Sequence, residues 1–566
     1  MVAIFLSLLV GTALASPLNE RQLLQPSVKT TNGTVVGSYS SLGVDQFNGI
    51  PFAQPPVGDL RLKPPQPVKA NWGTIQATGS PKACPQFITQ VNESDPTSVA
   101  LASFLDNQDA QSTVGFSEDC LTLNIFRPTG ATSNSNYPVV FWIFGGGFEL
   151  GWAGMYDFNQ WVQQSILNGQ PIVAVTVAYR VGGFGFLPGK ELADEHSTNL
   201  GLRDQRLGLE WVADNIKAFG GDPSKVTIWG ESAGAISVCD HTIINGGDNT
   251  YNGKPLFRGA IMNSGSVVPA DTVRADNAQA IFDTVAQNAN CGTADDKLAC
   301  LRALDYETFL TATESVPNLL GPRSLDLSYL PRPDPGDNFF STSPDVQLLS
   351  GNFAKVPVII GDLEDEGTLF ASSVTLQNNT ELVDYLASYF PSDPNALQDV
   401  TQLAALYPDN PSGGQPDGSP FGTGPLYNTY PEQKRLAAIL GDITFTLTRR
   451  VYLDGLTARG VTAYSYMADY LAGTPFLGTF HGSDLLVLFN QLTTLSFPHK
   501  SFQNYYLSFI ATLDPNSNSQ GQTTWPTYSS TRQIVNFGGS AISVITDNFR
   551  KAVSDYLSTK ANVLKV

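Results

Sequence analysis

Histidine is scarce in this chain, which has only 4 among 566 residues, at positions 196, 241, 481 and 499. So few imidazoles leave little choice of a catalytic base, and no spacing of histidine and cysteine is typical of a metal site. Basic residues are scarce as well: 32 lysines and arginines stand against 51 aspartates and glutamates, so the formal net charge is −19. Such an acidic chain repels phosphates, which argues against nucleic acid as a partner and against attachment to anionic membrane surfaces.

Long apolar runs are absent beyond the N-terminus. Residues 1–15 are mostly apolar and end in Ala13-Leu14-Ala15, which predicts a secretory signal peptide, because the run is too short to span a bilayer. No later segment approaches a membrane span, so we expect no integral membrane segment and a secreted, extracellular protein. The length alone favours more than one domain, but no linker, repeat or low-complexity tract divides residues 16–566. We therefore expect one large domain there.

Cysteines are few and odd in number: the chain has 5, at positions 84, 120, 239, 291 and 300. Export favours disulfides, and the odd count leaves one thiol over. Cys239 lies on a predicted helix and is interpreted as that buried, unpaired thiol. Three Asn-x-Ser/Thr patterns are candidate glycosylation sites: Asn32, Asn92 and Asn378.

The most informative pattern surrounds Ser232. An apolar run, 226–229, leads directly into Gly230-Glu231-Ser232-Ala233-Gly234 and then into a predicted helix. A strand, a Gly-x-Ser-x-Gly turn and a helix form the nucleophile elbow of α/β-hydrolases, in which a serine hydroxyl is exposed on a strained turn. Glycine is needed on both sides because a Cβ would collide with the neighbouring strand or helix. The alternative is an ordinary loop rich in glycine and serine.

Strands and helices alternate around this turn. The apolar runs 139–144, 172–177 and 356–360 predict buried parallel strands, and residues 204–219 have helical spacing that ends at Gly220-Gly221. Residues 433–455 predict another helix and 462–467 a late strand. This alternation predicts an α/β fold with a large, mostly parallel sheet covered by helices on both faces. Catalytic groups in such sheets gather at the carboxyl ends of the strands.

A reactive serine needs a base, and the order in this fold is serine, acid, histidine. His196 precedes Ser232, and His241 follows it too closely for an intervening acid. His481 lies in a glycine-rich loop beyond the last predicted strands, whereas His499 stands beside Lys500, which would disfavour an imidazolium. We therefore prefer His481 as the base.

The acid is expected between the serine and the histidine. Four carboxylates follow the predicted strand 356–360 within the stretch 361–367: Asp362, Glu364, Asp365 and Glu366. Spacing alone does not select one of them, and each alone could be part of a solvated acidic turn.

An oxyanion hole needs N–H donors that are already in position. Gly145-Gly146-Gly147 follows the predicted strand 139–144 and matches the glycine-rich loop that supplies one side of such a hole. The N–H of Ala233, the residue after the serine, would supply the other side. The glycine loop does not match a phosphate-binding loop, so no cofactor is expected.

With these motifs, the sequence resembles the cholinesterase-like type-B carboxylesterase/lipase family, and within it the branch of secreted fungal lipases and sterol esterases. The resemblance implies the α/β-hydrolase fold. It extends from about residue 30 to the C-terminus and is carried by seven stretches: 47–53, 118–124, 142–147, 199–206, 219–234, 365–368 and 478–481.

The resemblance also implies roles for individual residues. Ser232 would be the nucleophile, His481 the base and Glu366 the triad acid, with Glu231 a structural neighbour. The implied oxyanion donors are Gly146, Gly147 and Ala233. The implied disulfides are Cys84–Cys120 and Cys291–Cys300, and the implied structural ion pairs are Arg61–Glu118 and Arg180–Asp204.

The loop 85–119 is expected to be a lid. Asp95-Pro96 is typical of a helix start, and Leu101, Phe104 and Leu105 fall on one helical face. The resemblance implies the same, with opening at an oil–water interface; the alternative is a fixed flap over an esterase pocket. The expected substrates are triacylglycerols first and sterol esters second. The alternatives are a carboxylesterase of small soluble esters and a non-catalytic adhesion protein of this fold.

Overall fold

The computed structural model describes residues 25–87, 114–319, 321–409, 426–491, 495–518, 521–560 and 563–565. The signal peptide expected at 1–15, most of the loop 85–119 and the candidate glycosylation site Asn92 lie outside the described residues.

The described residues contain strands in three sheets. In chain order they are β1 (Ser27–Thr30), β2 (Gly33–Val36), β3 (Ser38–Tyr39), β4 (Val44–Pro51), β5 (Thr74–Gln76), β6 (Thr122–Pro128), β7 (Tyr137–Ile143), β8 (Val173–Val177), β9 (Gly221–Glu231), β10 (Thr250–Tyr251), β11 (Lys254–Pro255), β12 (Gly259–Asn263), β13 (Val358–Leu363), β14 (Ala463–Ala468), β15 (Gln533–Phe537) and β16 (Ile542–Thr546).

Helices connect and cover these strands. In chain order the α-helices are α1 (Asn159–Leu167), α2 (Gly182–Phe186), α3 (Lys190–Asp194), α4 (Leu200–Asn215), α5 (Ala233–Ile243), α6 (Asp276–Asn288), α7 (Lys297–Ala303), α8 (Tyr306–Thr313), α9 (Pro344–Ser350), α10 (Thr368–Ala371), α11 (Asn379–Ala387), α12 (Ala396–Ala405), α13 (Gln433–Gly441), α14 (Leu447–Thr457), α15 (Ser483–Leu488), α16 (Ser496–Thr512) and α17 (Lys551–Ser558). A π-helical turn, Asp442–Thr446, joins α13 to α14.

The large sheet has 11 strands in the order β16-β15-β14-β13-β12-β9-β7-β8-β6-β4-β3. Neighbours are parallel from β15 to β8 and antiparallel at both flanks, so the prediction of a mostly parallel sheet is confirmed. The central strands are buried on both faces, which is why their sequences are mostly continuous apolar runs.

The parallel directions determine where side chains can meet. Strands β9, β12 and β13 are adjacent and end at Glu231, Asn263 and Leu363, so the residues that follow them share one edge of the sheet. The helix predicted over 204–219 is present as α4 with a 3₁₀ turn, Ile216–Phe219, and Gly220 ends it at φ 94°.

A second apolar cluster lies beside the core that surrounds the sheet. Its buried side chains come from α10 to α14 and from α17. They include Phe370, Leu382, Leu403, Leu436, Phe445 and Val553. The helix predicted over 433–455 is present here, but it is interrupted by the π-helical turn.

Two disulfides join Cys84 to Cys120 and Cys291 to Cys300, and Cys239 is a buried free thiol. The pairing is the one that the resemblance implies. Both implied ion pairs are buried: Arg61 Nε lies 2.7 Å from Glu118 Oε1, and Arg180 Nη2 lies 2.7 Å from Asp204 Oδ1. None of the helices in the described part of the chain combines the length and apolar character that a membrane span requires.

Candidate active site

Ser232 lies at the junction of β9 and α5. Its backbone has φ 55° and ψ −124°, a conformation that residues with a side chain rarely adopt. Its N–H donates to the Asn263 carbonyl at 2.9 Å, and its carbonyl accepts the N–H of Ile236 at 2.9 Å. The neighbouring strand β12 and the helix α5 therefore hold the serine on a strained turn.

The two glycines of this turn have no room for a side chain. A Cβ on Gly230 would lie 2.4 Å from the backbone of Gly234, and a Cβ on Gly234 would lie 2.1 Å from the Ile143 carbonyl oxygen. Both contacts are with backbone atoms, which cannot rotate away. Both positions therefore require glycine, as predicted from the sequence, because a Cβ would collide with the neighbouring strand or helix.

The structure brings Ser232, His481 and Glu366 together. Nε2 of His481 lies 2.8 Å from Oγ of Ser232, and Nδ1 lies 2.6 Å from Oε2 of Glu366. The other carboxylate oxygen of Glu366 accepts hydrogen bonds from Ser264 Oγ at 2.6 Å and from the Leu363 N–H at 2.8 Å. The geometry is that of a nucleophile, a base and a group that orients the base.

The four carboxylates that the sequence left open have different surroundings. Only Glu366 among them reaches His481. Asp362 Oδ2 lies 2.6 Å from Arg449 Nε, and Asp365 accepts a hydrogen bond from the Thr479 N–H at 2.8 Å. Burial, with the charge of Asp469 adding to it, raises the pKa of Glu364 to about 7. Folding therefore distinguishes residues that spacing did not.

The other histidines lie elsewhere. His241 is buried and lies 3.0 Å from Gln205 Oε1; burial lowers its pKa to about 3. His499 Nδ1 lies 2.6 Å from the Val487 carbonyl, and His196 is exposed. Of the four histidines, His481 is the one that reaches Ser232.

The glycine loop after β7 has backbone conformations that favour glycine. Gly146 has φ 107° and Gly147 has φ 62°. A Cβ on Gly146 would lie 2.3 Å from the Leu150 carbonyl oxygen, and one on Gly147 would lie 2.7 Å from Leu319 Cδ2. Within the described residues, no acceptor is bonded to the N–H groups of this pair or of Ala233. Three donors are thus available to an oxygen bound near Ser232.

Two aromatic side chains pack against the imidazole. The ring centroids of Phe370 and Phe445 lie 5.0 and 4.4 Å from that of His481. Phe445 belongs to the π-helical turn, an irregularity that often occurs at functional sites. Sequence reasoning missed both rings and Ser264. Ser264 lies directly after strand β12, whose apolar residues 260–262 are the signal that could have found it.

Two further buried carboxyls lie near His481. Glu231 Oε1 is 3.6 Å from His481 Nε2, and burial raises the pKa of Glu231 well above its usual range, with Asp484 and Glu366 adding to the effect. Burial also raises the pKa of Asp484 to about 6, although Asn263 donates a hydrogen bond to it. The buried surroundings of Glu231 thus disfavour a further negative charge beside His481.

Ser232 and His481 open onto a cavity of about 490 Å³. The glycine loop forms part of its wall, and most of the remainder is apolar. Representative wall residues are Ile236, Val267, Leu327, Phe370, Phe390 and Leu447. No group of three or more histidine, cysteine, aspartate or glutamate side chains in the described ranges is arranged to hold a metal ion.

Known proteins resemble this chain along nearly its whole length. The model of the carboxylesterase family matches residues 24–552. Secreted lipase 1 of Botryotinia fuckeliana is 52% identical over 97% of each chain, and Secreted triacylglycerol lipase LIP1 of Gibberella zeae is 46% identical over 98% of this chain and 93% of its own. The crystal structure of Aspergillus niger EstA superposes with a TM-score of 0.78 at 27% identity and covers 95% of this chain and 99% of that chain.

These matches agree with the resemblance found in the sequence. The predicted α/β-hydrolase fold is confirmed. The chain belongs to the carboxylesterase family and is a carboxylic ester hydrolase.

Proposed function

We propose that this protein hydrolyses esters of long-chain fatty acids, triacylglycerols first and sterol esters second, through an acyl-enzyme on Ser232. The proposal is carried by the hydrogen bonds that run from Ser232 through His481 to Glu366, at 2.8 and 2.6 Å, in the wall of an apolar cavity. A serine hydroxyl alone is a weak nucleophile, and an imidazole oriented by a carboxylate makes it reactive.

The reaction proceeds in two halves. Ser232 Oγ attacks the ester carbonyl while His481 Nε2 takes its proton, and the Glu366 carboxylate stabilises the imidazolium through Nδ1. The N–H groups of Gly146, Gly147 and Ala233 stabilise the oxyanion. His481 then gives its proton to the leaving alcohol. In the second half it takes a proton from water, which attacks the acyl-enzyme, and it returns that proton to Ser232 Oγ as the fatty acid leaves.

The preference for lipids rests on the cavity and on the relatives. A cavity of about 490 Å³ is in the range that holds a large apolar ligand. Two of the relatives are named a secreted lipase and a secreted triacylglycerol lipase. We extend the secreted state of these relatives to this chain, with residues 1–15 removed as a signal peptide. Residues 16–566 then form one catalytic domain. The loop 85–119, tethered by Cys84–Cys120, acts as a lid at oil–water interfaces.

The catalytic roles are tested by substitution, with a soluble short-chain ester as substrate. Ser232→Ala should lower kcat at least about 10⁴-fold, and Glu366→Gln about 10³–10⁴-fold. The matched control is Asp365→Asn, because Asp365 lies beside Glu366 and bonds Thr479 rather than His481. It should lose less than about tenfold. Equal losses in the two carboxylate variants would mean that the acid is misassigned, and an active Ser232→Ala would end the proposal.

The lipid preference is tested by varying the substrate. Rates should be measured on esters of increasing acyl length, below and above the concentration at which the ester forms droplets. A lipase should favour long chains and accelerate when droplets appear. A carboxylesterase of small soluble esters would favour short chains and show no such acceleration. No hydrolysis of any ester would identify the non-catalytic alternative.

A further inference from the structure

One wall of the cavity carries a buried carboxyl that the proposed reaction does not use. Asp240 is 1% exposed and lies on α5, the helix that begins directly after Ser232. Ala233, Ile236 and Asp240 all contribute to the cavity wall, and their spacing places them on one helix face. Among the described residues, neither carboxyl oxygen of Asp240 has a hydrogen-bond partner.

A carboxyl in this state costs free energy, because it has lost water and gained no partner. An apolar side chain would fit the surrounding wall better. Burial raises the pKa of Asp240 well above its usual range and so favours the neutral acid, and in that form the carboxyl can donate one hydrogen bond and accept another. A ligand with a hydroxyl group in this part of the cavity would satisfy it.

A second carboxyl in the wall also has a buried oxygen without a hydrogen-bond partner in the described chain. Asp345 lies on α9, which packs against α5, and it too lines the cavity. Its Oδ1 accepts a hydrogen bond from Ser343 Oγ at 2.5 Å, whereas its Oδ2 is buried and has no partner within the described part of the chain. The part of the cavity wall formed by α5 and α9 is therefore not purely apolar, because each of these helices contributes a carboxyl group to it.

The position of Asp240 indicates which part of a substrate it would meet. It follows Ser232 by eight residues, which corresponds to about 12 Å along the helix axis. An extended alkyl chain needs roughly ten carbons to cover that distance from the ester carbonyl. The ester oxygens and the hydroxyls of a glycerol moiety stay close to Ser232, so they are too near. A hydroxyl on the chain itself has the right reach.

We propose that Asp240 is a specificity-determining residue that favours esters of long-chain fatty acids with a hydroxyl group in mid-chain. The proposal rests on the function proposed above, since the hydroxylated chain must occupy the cavity while Ser232 attacks its carbonyl. The hydroxyl donates to one carboxyl oxygen and accepts from the other. No bond of the substrate other than the ester bond is broken.

The test is a competition in one mixed dispersion, so that both esters meet the same interface. Methyl 10-hydroxyoctadecanoate competes with methyl octadecanoate, and the ratio of released acids gives the ratio of kcat/KM values. The native protein should favour the hydroxylated ester about fivefold or more, the size expected for one or two hydrogen bonds. Asp240→Leu should bring the ratio close to one, and Asp240→Asn should keep part of the preference. Methyl 3-hydroxyoctadecanoate should not be favoured.

The matched control is Thr242→Val on the same helix, which removes a buried hydroxyl outside the cavity wall and should leave the ratio unchanged. The midpoint of thermal unfolding should not fall in Asp240→Leu, because no hydrogen bond of the free protein is lost. A large fall, a preference that survives in Asp240→Leu, or equal rates in the native protein would overturn the proposal. Equal, measurable rates leave the ester hydrolase intact, whereas no hydrolysis of either ester refutes the proposed function as well.

Discussion

Glu149 should make the stability of this protein fall as the solution becomes alkaline. Its side chain is 1% exposed and lies two residues after Gly147. Oε2 accepts a hydrogen bond from the Leu319 N–H at 2.7 Å, while Oε1 has no partner in the described chain. Burial raises the pKa of Glu149 from 4.5 to about 8, and the Leu319 hydrogen bond opposes this only in part. At neutral pH the Glu149 carboxyl is therefore a neutral acid beside the glycine loop.

The sign follows from the raised pKa. The folded state holds the proton more tightly than the unfolded state, so the contribution to stability is complete below pH 4.5 and is lost as the pH rises through about 8. Each pKa unit corresponds to about 1.4 kcal/mol, and between pH 6 and pH 9 the loss is about 2–3 kcal/mol. For a chain of 566 residues this lowers Tm by about 2–3 °C.

The assay compares Tm at pH 6 and pH 9 for the native protein and for Glu149→Gln. Glutamine keeps an oxygen acceptor for the Leu319 N–H and does not ionise, so its Tm should change less across this range by about 2–3 °C. Glu307→Gln, which removes an exposed carboxylate, is the control and should follow the native protein. Parallel curves for Glu149→Gln and the native protein would refute the reasoning.

Three further predictions concern other parts of the chain. Gly146→Ala should lower kcat on a soluble ester about 100-fold or more, because its methyl group would lie 2.3 Å from a backbone oxygen and displace a proposed donor; steady-state kinetics measure this. Arg449→Met should cost about 3–5 kcal/mol in denaturant unfolding, because it leaves the buried Asp362 without its cation. Peptide mapping after secretion from a eukaryotic host should find a glycan on Asn378 and none on Asn32. Asn378 is exposed and its amide nitrogen donates to the exposed side chain of Glu381 at 2.8 Å, which can turn away into water, whereas the amide nitrogen of Asn32 donates to the Val68 backbone carbonyl at 2.9 Å.

Each of these has a contrary result. A native kcat in Gly146→Ala would show that the N–H of Gly146 is not a donor of the proposed oxyanion hole. If Arg449→Met unfolded at the same denaturant concentration as the native protein, the carboxyl of Asp362 would have to be neutral or hydrated in the variant. A fully occupied Asn32 would show that the hydrogen bond of its amide nitrogen does not protect this site from glycosylation.

The parts of the fold that could be predicted are those whose cause is local. The runs 139–144 and 172–177 became β7 and β8 because a strand buried on both faces needs apolar side chains at every position. The turn at Ser232 could be predicted because the apolar run, the Gly-x-Ser-x-Gly pattern and the predicted helix follow one another directly in the sequence. His481 could be preferred because so few histidines compete with it.

The remainder depends on contacts between distant residues. The π-helical turn has no signal within 433–455, since its first residue, Asp442, is held by Arg550 Nη1 at 2.6 Å and by the Tyr407 hydroxyl at 2.6 Å. Phe445, whose ring packs against that of His481, belongs to the same turn. Among the carboxylates of 361–367, the one that meets the imidazole is decided by the course of the backbone after β13, which spacing does not describe.

Sheet order explains why one edge collects these groups from so far apart. Strands β9, β12 and β13 are neighbours, and each delivers one side chain just beyond its carboxyl end: Ser232, Ser264 and Glu366. The middle one matters because the Ser264 hydroxyl occupies Oε1 of Glu366, which leaves Oε2 for the imidazole. The next strand, β14, leads to the loop that carries His481. The proposed triad requires that β12 stay between its neighbours, so the proposed nucleophile and its proposed acid are aligned by a strand that carries neither of them.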